Sequence, residues 1–512
     1  MSDYFSHETT YTYTDTGQVS TVTAPGSKVW TYAYNALGQP TSVAIPNGMT
    51  TEYAYDTRDR LTKIEHKDGS TVLDGFTYAL DDGGNITTTT HADSSLWDYE
   101  YDGRDRLTKA ERYDTDGTTL LHRYSYTYDD GDNLLTKLVY DGTNTVTTSY
   151  AVNNANEMTS MSVGGTTTTF AYDALGRTTS KTDGTYTASY TYGPAGMLST
   201  VGSDFPGEDN AAYQTGGDGK RRSRTVDGTE TWYNWAGASV INQEDSAGVL
   251  TRTYFGHTAA HVDGASPSTG SYEYYFPDHL GSTRRLRAQD KSSLGAYEYT
   301  PYGEVYAESG VTSITRRYAM LDWDGAVQQY FAPFRYYVPG AGRWTSRDPL
   351  EVDPNLYGYC YAAPTVYIDP NGDLCIFLGA LVIIAAVGAL VWWERKHGSP
   401  GAALGYGAEA AAEAAPNLLP IITGNNVGVI AGTLGAVLPA GVSVANAAPG
   451  VLEGMQMMDK RRKMIYQYEE GSADTWAAGP DELVQKPITR EMLDREEYLR
   501  ECKRRTSGKP TR

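Results

Sequence analysis

The side chains best suited to chemistry lie between residues 278 and 375. Asp278-His279-Leu280-Gly281-Ser282 comes first. Two Asp-Pro units stand further on, Asp348-Pro349-Leu350-Glu351 and Asp369-Pro370-Asn371-Gly372, with Asp353-Pro354 between them. On local chemistry alone Asp before Pro is a turn former. His279 has the pKa range of a general base. No Ser or Cys nucleophile motif accompanies it, so a structural histidine is the better reading. Arg343 and Arg347 stand close before Asp348. They suit charge-assisted hydrogen bonds to carboxylates, and equally a surface role. The cysteines are Cys360, Cys375 and Cys502. None forms a CxxC pair, so neither a zinc site nor a disulfide framework is indicated, and no metal or cofactor is expected.

These residues need elements to position them, and composition says which. The 512 residues include 42 Tyr and 54 Gly, with abundant Thr. Tyr and Thr favour pleated strands, and Gly favours turns. The aromatic content argues against low-complexity disorder. The net charge of −21 argues against a nucleic-acid partner, which needs clustered Lys and Arg. The short basic runs at Lys220-Arg221-Arg222 and Lys460-Arg461-Arg462-Lys463 read as solvated surface.

Internal repetition dominates residues 1–270. A Tyr-x-Tyr-Asp unit recurs every twenty-odd residues, as at Tyr53 to Asp56, Tyr99 to Asp102, Tyr126 to Asp129 and Phe170 to Asp173. Tyr-x-Tyr alternates at period two, so both rings share one sheet face. Asn/Asp-x-Leu-Gly-Arg, as at Asp173 to Arg177, has turn chemistry. Asp-Gly pairs at Asp68, Asp116, Asp141, Asp183 and Asp227 supply the opposite hairpin turns. One hairpin is not stable alone. The expected fold is therefore mainly β, a long spiralling antiparallel hairpin ribbon, followed by an α-helical C-terminal segment. The repeat tyrosines read as a packed ladder, with carbohydrate stacking on exposed rings as the minor alternative.

Residues 271–373 add a fixed order of rarer motifs. Asp278 to Ser282 is followed by Tyr299-Thr300-Pro301-Tyr302-Gly303-Glu304, Phe334-Arg335-Tyr336-Tyr337, Gly342-Arg343-Trp344 and Asp369 to Gly372. With the Tyr-Asp repeats, this order resembles the Rhs-repeat-associated core of bacterial Rhs/YD-repeat polymorphic toxins and toxin-complex C subunits. The resemblance implies a shell that encloses cargo. The repeat region is short for that, so a curved strip or a few turns is expected rather than a sealed container. Residues 274–372 should continue the sheet and cap its C-terminal end.

The resemblance also implies an aspartyl autoprotease that acts once, with Asp348 and Asp369 as the catalytic pair. Such a pair shares a proton, and the tethered bond is held at high effective molarity. The implied cut lies near Asp373–Leu374. Glu351 stands where the family has Gly, and would add negative charge beside the pair. Asp353 is too close to Asp369 in sequence to be the first member.

Residues 374–512 form the variable segment. Leu374 to Trp393 runs about twenty residues without a charge, the length of a membrane-spanning helix. Trp392 and Trp393 suit the interface, and Arg395 and Lys396 suit the cytoplasmic side. The same run also reads as a buried core helix, or as a helix held inside a shell before release. Gly424, Gly428 and Gly432 mark a second, poorer apolar stretch. No nuclease, deaminase or transferase constellation is present. The N-terminus lacks a secretory signal, so export by a dedicated machine, or membership of a longer chain, is expected. The functional expectation is a toxin shell presenting a membrane-active segment, which the implied self-cleavage would cut free, with membrane lipid, a delivery machine and an immunity protein as partners. The alternative is a membrane-anchored surface or adhesion protein without enzymatic activity.

Overall fold

One repeat unit shows how the ribbon is built. The computed structural model describes residues 8–377, apart from 237–238, 257, 263–269, 311–313 and 352. Lys28–Tyr34 pairs antiparallel with Pro40–Ala44, and residues 35–39 turn between them. The Asn35 side-chain oxygen accepts the amides of Leu37 and Gln39, both at 3.0 Å. Asp56, Asp102, Asp129 and Asp173 cap their own turns in the same way. The fourth turn residue needs a left-handed backbone. Gly38 and Gly176 supply it freely, and Asp59, Asp105, Asp132 and Asn156 adopt it as the L-residues that tolerate it best.

The second tyrosine of each unit explains why Tyr precedes Asp. The register slips at that position, as between Ala33 and Tyr34 or Ala171 and Tyr172, making a bulge that tilts the ring. Its hydroxyl then donates to the first carbonyl of the previous unit's return strand. Tyr34 reaches Val19 at 2.8 Å, Tyr55 reaches Pro40 at 2.9 Å, Tyr172 reaches Met158 at 3.0 Å and Tyr192 reaches Thr178 at 2.6 Å. Each unit that carries this tyrosine is thus stapled to its predecessor by a bond worth about 1 kcal/mol.

Repetition of this unit gives one 28-stranded sheet from Thr10–Tyr13 to Val305–Gly310. Each strand pairs antiparallel with its neighbours in sequence. Pairing runs across residue 270 without a break, because Ala259–Val262 joins Ser271–Pro277. The ribbon also bends back on itself. Trp30 packs on Phe255 and Tyr274, and the Tyr272 hydroxyl donates to the Pro25 carbonyl at 2.9 Å.

The sheet does not continue to residue 372 as expected. It stops at Gly310, and residues 314–377 fold onto its buried face. There they form a small sheet of Asp322–Asp324, Gln329–Phe331, Tyr336–Val338 and Arg343–Trp344, and a second pair, Tyr367–Ile368 with Ile376–Phe377. The reason is backbone and bulk. Ala319, Met320, Gln328, Glu351 and Cys360 to Ala362 all have positive φ, which long strands do not accommodate. Tyr318, Tyr330, Tyr337, Trp344 and Tyr359 are fully buried. They fill the space over ribbon residues such as Tyr124, Tyr126 and Tyr150.

Among the described residues there is no α-helix, only three short 3-10 turns. None of these is long and apolar enough to cross a membrane. The expected helix at 374–393 lies almost wholly outside the described residues, as do Trp392, Trp393, Arg395 and Lys396. Its first residues are not helical. Ile376–Phe377 is a strand held by Tyr367–Ile368, so a helix cannot begin at Leu374.

Candidate functional site

Asp348 and Asp369 reuse the capping device of the repeats. The Asp348 Oδ1 accepts the amides of Leu350 at 2.7 Å and Glu351 at 3.1 Å. The Asp369 Oδ1 accepts those of Gly372 at 2.8 Å, Asp373 at 3.0 Å and Leu374 at 3.1 Å. The two turns are counterparts, each closed by a left-handed residue, Glu351 at φ 49° and Gly372 at φ 79°. Glu351 therefore fills a position that favours glycine. Its side chain is exposed, so the expected extra charge beside the pair goes to solvent instead.

The second oxygens converge. Both Oδ2 atoms lie 2.9 Å from the Nη2 of Arg335. Arg335 also donates Nε to the Gly372 carbonyl and Nη1 to the Leu356 carbonyl, and its guanidinium lies over the Trp344 ring. All three charged side chains are buried. A guanidinium in such a place must have its donors matched by acceptors, and here carboxylates and carbonyls do so.

Two further carboxylates crowd this cation. Burial, and then the charge of Asp369, raises Asp373 to about 7. Burial, and then the charge of Asp348, raises Asp353 to about 7. Asp348 is itself raised by burial, with Arg335 opposing. Two carboxylates raised by burial stand near the pair that shares the Arg335 guanidinium. The cluster thus offers a proton donor and a proton acceptor beside the backbone of residues 372–374, the elements of general acid–base chemistry. Asp353, set aside on spacing, belongs to this electrostatic cluster.

Arg343 and Arg347 do not hold Asp348. Arg343 donates to the Asn156 carbonyl and lies over Tyr357. Arg347 reaches Glu157 at 3.1 Å. Both point to the ribbon's turns, because Arg343–Trp344 is an edge of the small sheet with the ribbon beside it. The residue that does the work expected of them is Arg335. Its signal was a lone cation inside Phe334-Arg335-Tyr336-Tyr337, since a charge in an aromatic run needs a buried anion. His279 is structural. Its Nε2 bonds the Thr365 carbonyl at 2.8 Å, its ring packs edge-on to Tyr78, and burial lowers its pKa.

The comparisons with known proteins agree with this architecture. The RHS Repeat family model matches residues 13–48 and 34–71. Salivary gland surface protein 1 of Aedes aegypti is 36% identical over 115 residues, 22% of this chain and 3% of that protein. Toxin protein Tse5 of Pseudomonas aeruginosa is 31% identical over 121 residues, 22% of this chain and 9% of that protein. Toxin subunit YenC2 of Yersinia entomophaga is 38% identical over 81 residues, 15% of this chain and 8% of that protein. The structure of the Photorhabdus luminescens Tc holotoxin pore, with a TccC3 mutation, aligns at a TM-score of 0.57 and 20% identity, covering 71% of this chain and 21% of that one. That is a likeness of fold. The chain spans only a small part of each of these four proteins.

Proposed function

From the RHS Repeat match at residues 13–71 and the likeness to Rhs/YD-repeat toxins, we propose that the chain is a toxin-type shell protein that presents the residues after 373 and releases them by one cut in its own chain. The observation that carries the proposal is the convergence of Asp348 and Asp369 on Arg335, beside the backbone that leaves the folded-in segment. In this reading one carboxylate takes a proton from water. The water oxygen attacks the Asp373 carbonyl carbon, and a protonated carboxylate supplies the proton to the departing Leu374 nitrogen as the peptide bond breaks. The bond is tethered, so no substrate pocket is needed. Export by a dedicated machine, a membrane-lipid target for the apolar run at 374–393 and an immunity partner complete the reading.

Full-length chain expressed beside Asp369→Asn and run on a denaturing gel tests it. Two fragments from the native chain and one band from the variant are expected. A single full-length band from both eliminates self-cleavage.

A second reading, a surface protein anchored by residues 374–393, draws on the Aedes aegypti relative, whose name says surface protein. Intact chain in the membrane fraction, with the repeats open to added protease, would favour it.

A further inference from the structure

We propose that Cys360 and Cys375 form a reversible disulfide that ties the C-terminal segment to the shell across the cut. The two sulfurs lie 3.3 Å apart, and both residues are buried. Two cysteines that showed no pattern in sequence are brought face to face by the fold. Both positions are fixed by backbone rather than by chance rotamers. Cys360, Tyr361 and Ala362 hold three successive left-handed conformations, at φ 53°, 57° and 58°. Cys375 sits between the Leu374 amide, bound to Asp369, and Ile376, which pairs with Ile368. Among the described residues no group of three or more His, Cys, Asp or Glu suits a metal ion.

Their placement along the chain gives the pair its meaning. Cys360 precedes the Asp373–Leu374 bond and Cys375 follows it. This consequence rests on the self-cleavage reading; the disulfide itself does not. With the disulfide closed, cutting the peptide leaves the segment covalently attached. The segment departs only when both links are broken.

The redox step balances with a low-molecular-weight disulfide as oxidant. The two thiols give up two protons and two electrons, one S–S bond forms, and the oxidant's S–S bond becomes two thiols. A dithiol reductant reverses it. An oxidising exterior would keep the tether, and a reducing cytosol would open it. Burial pushes the Cys360 thiol well up, so exchange in the closed fold is slow and oxidation is favoured while the segment is still docking.

The test uses the full native chain, Cys375→Ser and Cys502→Ser. Each is exposed to oxidised glutathione both when folded and during refolding from denaturant. Free thiols are then alkylated, and the chain is digested for peptide mass and run on denaturing gels with and without dithiothreitol. A Cys360–Cys375 cross-linked peptide, lighter by two hydrogens, is expected from the native chain and from Cys502→Ser. The cut fragments should stay together without reductant and separate with it, whereas those of Cys375→Ser should separate in both. Full alkylation of Cys360 and Cys375 in the native chain after both treatments, or Cys502 as the partner, overturns the proposal. The peptide result needs no variant to fold. If every lane shows uncut chain, the self-cleavage reading fails while the cross-linked peptide still decides the disulfide.

Discussion

The ribbon and the folded-in segment solve the same problem in opposite ways. In both, an aspartate caps a turn with one carboxylate oxygen. In the ribbon the other oxygen goes to an arginine four residues on: Asp56 to Arg60, Asp102 to Arg106, Asp173 to Arg177. In the folded-in segment it goes to Arg335, shared by Asp348 and Asp369. The local solution is partly exposed and pairs each aspartate with an arginine of its own unit. The distant one is buried and leaves two carboxylates sharing one cation. The same side chain therefore titrates in opposite directions. Burial raises Asp56 and Asp173, but the turn amides and their own arginines win, and both end lowered. Asp348 ends raised. A motif built for stability becomes a motif suited to proton transfer when its counter-ion is rationed.

The sharpest way to break this contrast is to remove the cations. Arg335→Met leaves two buried carboxylates without their partner, and should destabilise by about 3–5 kcal/mol in chemical denaturation. Arg60→Met in the ribbon should lose no more than about 1 kcal/mol. Equal losses would erase the distinction.

The turn closures come next. A Cβ at Gly372 would lie 3.1 Å from the Ala332 and Arg335 Cβ atoms and from the Arg335 amide nitrogen, on a backbone at φ 79°. Gly372→Ala should therefore lower stability by about 1–3 kcal/mol. Glu351→Gly should raise it by about 1 kcal/mol, because a left-handed Glu is strained and its side chain is exposed. Denaturation midpoints of the two variants should move in opposite directions.

Acidity distinguishes the regions in sign. Asp353 and Asp373, near 7 in the folded state, bind their protons more tightly there than unfolded. Their contribution to stability is complete below the ordinary carboxylate range and is lost as pH rises toward about 7. The lowered ribbon aspartates do the reverse, contributing above that range and losing it as pH falls. Asp373→Asn should flatten the decline between about pH 4 and 7 in a denaturation series, and Asp173→Asn should leave that window unchanged.

The smallest expected effect is a single staple. Tyr172→Phe loses the bond to the Met158 carbonyl, about 1 kcal/mol, visible as a small shift in the denaturation midpoint.

Much of the ribbon was legible because its physics is local. Tyr-x-Tyr, the capping Asp, the left-handed Gly and the Asp-Gly hairpin each act within a few residues, and repetition multiplies the signal. The tyrosine staple was not legible, since it depends on a bulge that tilts the ring toward the previous unit. The aromatic run around Arg335 signals a need for a buried anion, but nothing near it in sequence names its partners.

The amino-acid order alone determined a continuous hairpin meander and two Asp-Pro turns able to bind backbone amides. Only the tertiary structure decided that the meander ends at Gly310, that the turns meet on one guanidinium, and that Cys360 faces Cys375. Those outcomes follow from long-range burial of rings and charges, where the neighbours that fix a side chain's environment lie far away in the chain.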